Sequence, residues 1–179
     1  MKTLVTRHLI LRALKITDLI SFFAYARKPN IGPNAGWKPH ETIEESARIL
    51  RMMMNEEEVW GVTLKEKDEL IGTIGLHVRN FENAVANQKE IGYVLDDTYW
   101  GKGLMVEAVN IVLKYAFIDV ELDRVLCGHA FDNHQSKRVI EKTGFHPTRL
   151  EKREHFDHTM IDIQMYELTK DGYLKGEQK

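Results

Sequence analysis

The run Glu90-Ile91-Gly92-Tyr93-Val94-Leu95 leads through Asp97-Thr98-Tyr99 into Trp100-Gly101-Lys102-Gly103 and then into Leu104-Met105-Val106-Glu107-Ala108. No other stretch constrains the fold as much. Residues 90–95 read as a strand. From Leu104 onward the apolar positions Leu104, Ala108, Ile111, Val112, Tyr115 and Ala116 recur at helical spacing. A strand therefore turns into a helix through two glycines that flank a lysine. Glycine reaches backbone angles other residues avoid and leaves room for a close ligand. The first turn of a helix has N–H groups with no intrahelical partner. The junction is thus a socket for an anion such as a phosphate, with Lys102 adding positive charge.

The rest of the chain supplies a single sheet with helices. Residues 9–11 form a first strand. Thr17 or Asp18 caps a helix from 19 to about 27. Pro29, Gly32, Pro33 and Gly36 break the chain into a loop that carries Trp37, either a lid or pocket wall, or a pin for a surface loop. Thr42-Ile43-Glu44-Glu45 has capping-box spacing and starts a helix to about 55. Met52-Met53-Met54 within it reads as core filling and exposed helix. Residues 59–64 and 70–76 form a hairpin, with Gly72 and Gly75 marking a bulge or close packing. Residues 80–88 read as a polar loop. After the glycine junction come a buried strand at 124–130, a helix opened by Asn133 and closed by Gly144, and two strands at 148–156 and 160–168. The tail after Thr169 reads as frayed. This is one domain over 1–179, with a core of about 5–168, of α+β (mixed α/β) class.

Composition removes several functions. The net charge of -2 provides no basic field for nucleic acid. The longest apolar runs are too short to span a bilayer, and residues 1–7 lack a signal peptide's apolar core. One cysteine makes no internal disulfide, which points to a reducing cytoplasm. Cys127 reads as a small core residue rather than a nucleophile. The eight histidines have no supporting cysteine or acidic cluster, so no metal site is expected. The glycine junction is not a Walker loop: Gly101 and Gly103 stand too close together, and no Ser or Thr follows Lys102. It is not a dinucleotide fingerprint either, because Val106 occupies the third glycine's place. On spacing alone a plain strand-to-helix turn remains open.

Asn133-His134-Gln135-Ser136 and Glu141-Lys142-Thr143-Gly144-Phe145 extend the pattern. Asn133 is fully explained as an N-cap, and Ser136 as a first-turn serine without chemistry. Taken together with Tyr99-Trp100-Gly101-Lys102-Gly103, Glu107-Ala108 and the opening Thr6-Arg7-His8-Leu9-Ile10-Leu11-Arg12, the chain resembles the GNAT superfamily of acyl-CoA-dependent N-acetyltransferases. Within it, the resemblance is to the branch that acetylates the N-termini of ribosomal proteins. Thr98 departs from the Gln or Arg that commonly opens the pyrophosphate motif.

The resemblance implies a mostly antiparallel, splayed central sheet of about seven strands flanked by about four helices. It implies acetyl-CoA as cosubstrate, with no metal. The N–H groups of Gly101, Lys102, Gly103, Leu104 and Met105, beside Trp100, would hold the pyrophosphate. Tyr93, Val94 and Leu95 would pair with the pantetheine amides as an added strand does, and Asn133 would approach the same arm. A backbone N–H near Leu95 would bond the thioester oxygen. An amine attacks the thioester directly, so proximity carries much of the rate. Ser136 is the candidate hydroxyl donor to the departing thiolate. Glu154 is the candidate base, with Glu90 its rival, and a solvated or salt-bridged strand residue is the plain alternative for either. Trp37, His155 or His158 would meet the acceptor. The expected partner is a primary amine, with a protein N-terminus ahead of a polyamine, amino acid or antibiotic. A homodimer through the last strands is implied as well. A non-catalytic acyl-CoA-binding module is the alternative from another class.

Overall fold

The computed structural model describes residues 1–56, 58–78 and 87–176. They form one sheet of eight strands: β1 (Leu4–Val5), β2 (Leu9–Ala13), β3 (Val59–Leu64), β4 (Leu70–His77), β5 (Gln88–Leu95), β6 (Arg124–Ala130), β7 (His146–Glu154) and β8 (Met160–Thr169). Five helices accompany it: α1 (Leu19–Ala26), α2 (Ile43–Met54), α3 (Leu104–Lys114), α4 (His134–Lys142) and α5 (Lys170–Gly176). The spatial order is β1-β2-β3-β4-β5-β6-β8-β7. Every neighbouring pair is antiparallel except β5 and β6, which are parallel.

The expected class holds, with one strand and one helix more than the resemblance implied. β1 is two residues long, too short to show a period. α5 forms where a frayed tail was expected. Its Tyr173 ring stacks on Phe117 at 5.0 Å, and Gly172 N–H donates to Thr169 Oγ1 at 3.1 Å. That docking depends on a residue far away in sequence, so local polarity could not reveal it. The strand starting at Gln88 also takes the end of the expected 80–88 loop, of which residues 80–86 lie outside the described residues.

Two helix starts differ in detail from the sequence reading. Thr42 does cap α2, accepting from Glu45 N–H at 3.2 Å, but Glu45 returns its bond to Glu41 N–H at 2.8 Å. Asp18 makes no side-chain cap to α1. Its buried carboxylate forks onto Arg12 at 2.8 and 2.9 Å and accepts from Lys15 N–H. Arg12 also reaches Asp68 in the β3–β4 turn. A buried guanidinium requires such acceptors, and that need outweighs the local cap.

The sheet separates two cores. On one face α3 and α4 bury Trp60, Val62, Ile71, Ile74, Ile91 and Leu95. On the other, α1 and α2 bury Leu14, Val59 and Leu70. The glycine signal in β4 has the expected physical cause. The register shifts between Val62 and Thr63, so that Thr63 pairs with Leu70 while Val62 pairs with Gly72. This bulge lets Ile71 and Ile74 reach the same core despite their odd spacing. A Cβ on Gly72 would lie 2.2 Å from the Val94 carbonyl oxygen, so β4 and β5 approach closely there.

Candidate active site

The cleft originates in the pairing of β5 with β6. Gln88, Lys89 and Glu90 pair with Arg124, Val125 and Leu126, and the ladder ends there. β5 continues along β4 as far as Leu95, while β6 continues along β8. The two strands therefore diverge, and a cleft of about 940 Å³ occupies the gap. The sheet splays within β5, after Glu90, rather than beyond its end.

Alternation determines which peptide groups face this gap. Asp96 N–H donates to Ile71 O at 2.8 Å, which marks a hydrogen-bonded position opposite β4. Two residues earlier, the peptide groups of Val94 turn to Thr73 in the same way, and those of Tyr93 and Leu95 turn outward. Trp100 Nε1 donates to Leu95 O at 2.9 Å, in keeping with that direction. Of the three residues expected to offer backbone, Tyr93 and Leu95 face the gap and Val94 faces the sheet.

The glycine junction follows. Asp96 accepts from Thr98 N–H at 2.9 Å and Thr98 Oγ1 at 2.8 Å, so the irregular Thr98 is absorbed into a capped turn. Lys28 bridges Asp96 and Asp97 at 2.7 and 2.6 Å, and Asn30 donates to Asp97 at 2.8 Å. These bonds hold the Asp97 carboxyl down at about 2, with Asn30 the largest cause. Gly101 and Gly103 have φ of +76° and +77°, the left-handed region where a side chain is disfavoured. Gly103 is the N-cap of α3 and brings no side chain to cap it. The first-turn N–H groups of Leu104 and Met105 thereby receive no side-chain cap from Gly103. Lys102 is exposed, its ammonium 5.0 Å over the Tyr99 ring. Glu107 ties this turn to the start of β2, accepting from His8 N–H at 2.8 Å.

Across the cleft, Asn133 caps α4 by accepting from Ser136 N–H at 3.0 Å. Its Nδ2 donates to Asn34 O at 3.0 Å. Ser136 Oγ lies 3.0 Å from the Tyr93 hydroxyl, which also reaches Ser136 O at 3.2 Å. Burial pushes the Tyr93 phenol well above its ordinary range. It also pushes the Cys127 thiol up to about 12, the behaviour of the inert core residue expected.

The two glutamates have different surroundings. Glu90 is buried and receives a bidentate ion pair from Arg153 at 2.8 and 3.0 Å. Arg153 also contacts Glu151 at 2.9 Å. Glu154 is exposed at the cleft mouth, with His158 Nδ1 at 2.5 Å. His155 donates from Nε2 to Pro33 O at 3.0 Å and meets Asp157 at 3.2 Å. Trp37 lies against His40 at 4.9 Å and lines the cleft. Its carbonyl would lie 2.6 Å from a Cβ on Gly32, so Gly32 lets the loop fold over itself. The structure thus gathers Trp37, Glu90, Glu154, His155, Asn133 and Ser136 around one cleft. Sequence reasoning missed Arg153, Asn34, Lys28 and the side chain of Tyr93. Each acts through a partner distant in the chain, and no local motif marks it. Among the described residues, no group of three His, Cys, Asp or Glu is placed to hold a metal ion. Nor is any helix among them long and apolar enough to cross a membrane.

A splayed sheet, an uncapped helix start after paired left-handed glycines, and an open β-edge offer an extended, anion-tolerant cleft. Residues 8–146 match the family model described as "Acetyltransferase (GNAT) domain". The chain belongs to this family of N-acetyltransferases, whose cosubstrate is acetyl-CoA. It is 30% identical over 180 residues to the uncharacterized N-acetyltransferase p20 of Bacillus licheniformis, covering 97% of this chain and 99% of that one. Ribosomal-protein-S5-alanine acetyltransferase from Vibrio fischeri shares the fold, with a TM-score of 0.77 at 22% identity, over 97% of this chain and 99% of that one. So does spermidine N-acetyltransferase from Vibrio cholerae, solved with CoA and spermine. Its TM-score is also 0.77 at 22% identity, over 94% and 99%.

Proposed function

We propose that this chain acetylates the α-amine of a protein N-terminus in a ternary complex with acetyl-CoA. The observation that carries the reading is the cleft itself. It runs from the glycine turn, through the gap between β5 and β6, to an open mouth bearing the exposed carboxylate of Glu154. An α-ammonium has a reference pKa near ~8, against ~10.4 for lysine, so it needs only mild deprotonation. A solvated carboxylate at the mouth can draw that proton through water. We assign the base to Glu154 rather than Glu90, since both Glu90 oxygens are bonded to Arg153. The N–H groups of Leu104 and Met105 would grip the pyrophosphate, while Tyr93 and Leu95 would pair with pantetheine. Ser136 would donate to the departing sulfur. The single cysteine suits a cytoplasmic setting.

A small amine is the second reading, and one observation favours it. The loop bearing Pro33 and Asn34 is bonded across the cleft to His155 and Asn133, which narrows the entrance for a bulky acceptor. Thiol release from acetyl-CoA, measured against a panel of peptide N-termini and of polyamines and amino acids, separates the two. Turnover confined to small amines overturns the first reading. Tight CoA binding with no turnover on either panel favours a binding module.

A further inference from the structure

The Tyr93 side chain supplies the one hydroxyl that reaches from β5 to α4. We propose that Tyr93 is the positioning residue for Ser136: its phenol donates to Ser136 Oγ and so directs the serine's own hydrogen into the cleft, at the sulfur of CoA. The proposal rests on the reading of Ser136 given above.

The geometry leaves few options. A serine hydroxyl has one hydrogen to donate and can accept two. Ser136 N–H is committed to Asn133, and the phenol lies 3.0 Å from Ser136 Oγ and 3.2 Å from Ser136 O. If the phenol donates to Ser136 O, the serine hydrogen is free to turn back to the phenol oxygen, away from a ligand. If the phenol donates to Oγ, that oxygen is filled from behind and its hydrogen points forward. Ser136 lines the cleft, so forward is the cleft. The ring itself is held: Tyr93 packs against the core under α3, on the same face as Ile91 and Leu95. Glu90 and Arg153 stand on the opposite face of β5. Cys127 on β6 is the other polar neighbour of the phenol, and both of those charges act on it. Burial keeps the phenol protonated, as a donor must be. Two hydroxyls in series also polarise each other, which strengthens the outer bond.

In the reaction the amine nitrogen bonds to the acetyl carbon, and the carbon–sulfur bond breaks with its electron pair going to sulfur. The nitrogen's proton leaves through the base or water. Sulfur departs as a thiolate held by Ser136 and is protonated by solvent on release. Tyr93 and Ser136 both keep their protons throughout.

The test needs no acceptor. CoA and desulfo-CoA are titrated calorimetrically into wild type, Tyr93→Phe, Ser136→Ala and the double variant between pH 6 and 10. In wild type the bound thiol should titrate below that of free CoA in the same buffer. Each single variant should lose about tenfold in CoA affinity on the alkaline side, equivalent to about one pKa unit, with desulfo-CoA unchanged. The double variant should lose no more than either single one, as expected of one coupled unit. Replacing Tyr93 with 3-fluorotyrosine, a stronger donor of nearly the same shape, should move the profile the other way. It also serves if Tyr93→Phe fails to fold. A wild-type profile in both Tyr93 variants, additive losses, or equal loss of desulfo-CoA binding overturns the inference alone. No CoA binding to the wild type sinks the functional reading and this inference together.

Discussion

On the α3/α4 side of β5, the groups proposed to meet the acyl donor are largely peptide groups. They are the outward-facing amides of Tyr93 and Leu95 and the first turn of α3 behind Gly101 and Gly103. On the α1/α2 side the groups at the cleft are side chains held by other groups: Glu90 by the Arg153 side chain, Glu154 by that of His158, and His155 by the Pro33 carbonyl. Backbone recognition depends on strand direction, register and φ, which many sequences can satisfy. Side-chain recognition changes with every substitution. This is why one scaffold can keep its acyl donor and vary its acceptor.

The contrast can be broken at several points. The largest effect is expected at Arg153. Its removal leaves the buried Glu90 carboxylate unpaired, so Arg153→Met should cost about 3 kcal/mol in denaturant unfolding. Its CoA affinity should stay within about threefold, because the hydrogen-bond partners of Arg153 (Glu90, Glu151 and Met165) make no bond to the glycine turn. A large loss of CoA affinity in the folded variant would dissolve the division into two halves.

The glycines test the converse. Forcing a β-branched side chain to positive φ costs about 1–2 kcal/mol per residue, and nothing lies within 4 Å of either glycine's Cβ position to clash. Gly101→Val with Gly103→Val should therefore weaken acetyl-CoA binding about 100-fold, by turning the loop's N–H groups away. Calorimetry on the folded double variant reads this directly. Unchanged affinity would mean that the pyrophosphate is held elsewhere.

Asn133 belongs to both halves, since it caps α4 and holds the Asn34 carbonyl. Asn133→Ala should lower stability by about 1 kcal/mol through the lost cap. Asn133→Ser, which can still cap, should recover most of that but not the contact to Asn34. Comparing acceptor KM in the two variants shows whether the loop's tie matters to the acceptor side.

The smallest effect concerns the Lys28–Asp96–Asp97 clamp. Asp97 is held at about 2 in the folded chain, against ~3.9 for a free aspartate. A depressed folded value means the contribution is present above pH ~4 and is lost as pH falls through about 2. At this partly exposed site it is below about 1 kcal/mol. The stability gap between wild type and Asp97→Asn should be flat from pH 7 to 5 and close toward pH 2. A gap that persists there would assign it to hydrogen bonding rather than charge.

The legible parts of the sequence were local. Periodicity placed α1 to α4 and β2 to β8 within a few residues, because amphipathic spacing is a property of the chain itself. Gly101 and Gly103 announced a left-handed turn ahead of α3, because left-handed backbone selects glycine residue by residue. Asn133 was legible as a cap for the same reason. Ser136, Glu154 and His155 were named as candidates, but nothing in sequence could place Arg153 on Glu90, 63 positions away.

By itself, the sequence determined most of the elements, the glycine turn between β5 and α3 and the absence of a Walker or dinucleotide motif. All of these follow from neighbours along the chain. Only the tertiary structure decided where β5 leaves β6, which face of β5 carries Tyr93 and which Glu90, and which carboxylate is buried in its ion pair. Register and burial bring distant residues together at those points. An ion pair such as Arg153–Glu90 forms only after the sheet has set the separation between its members.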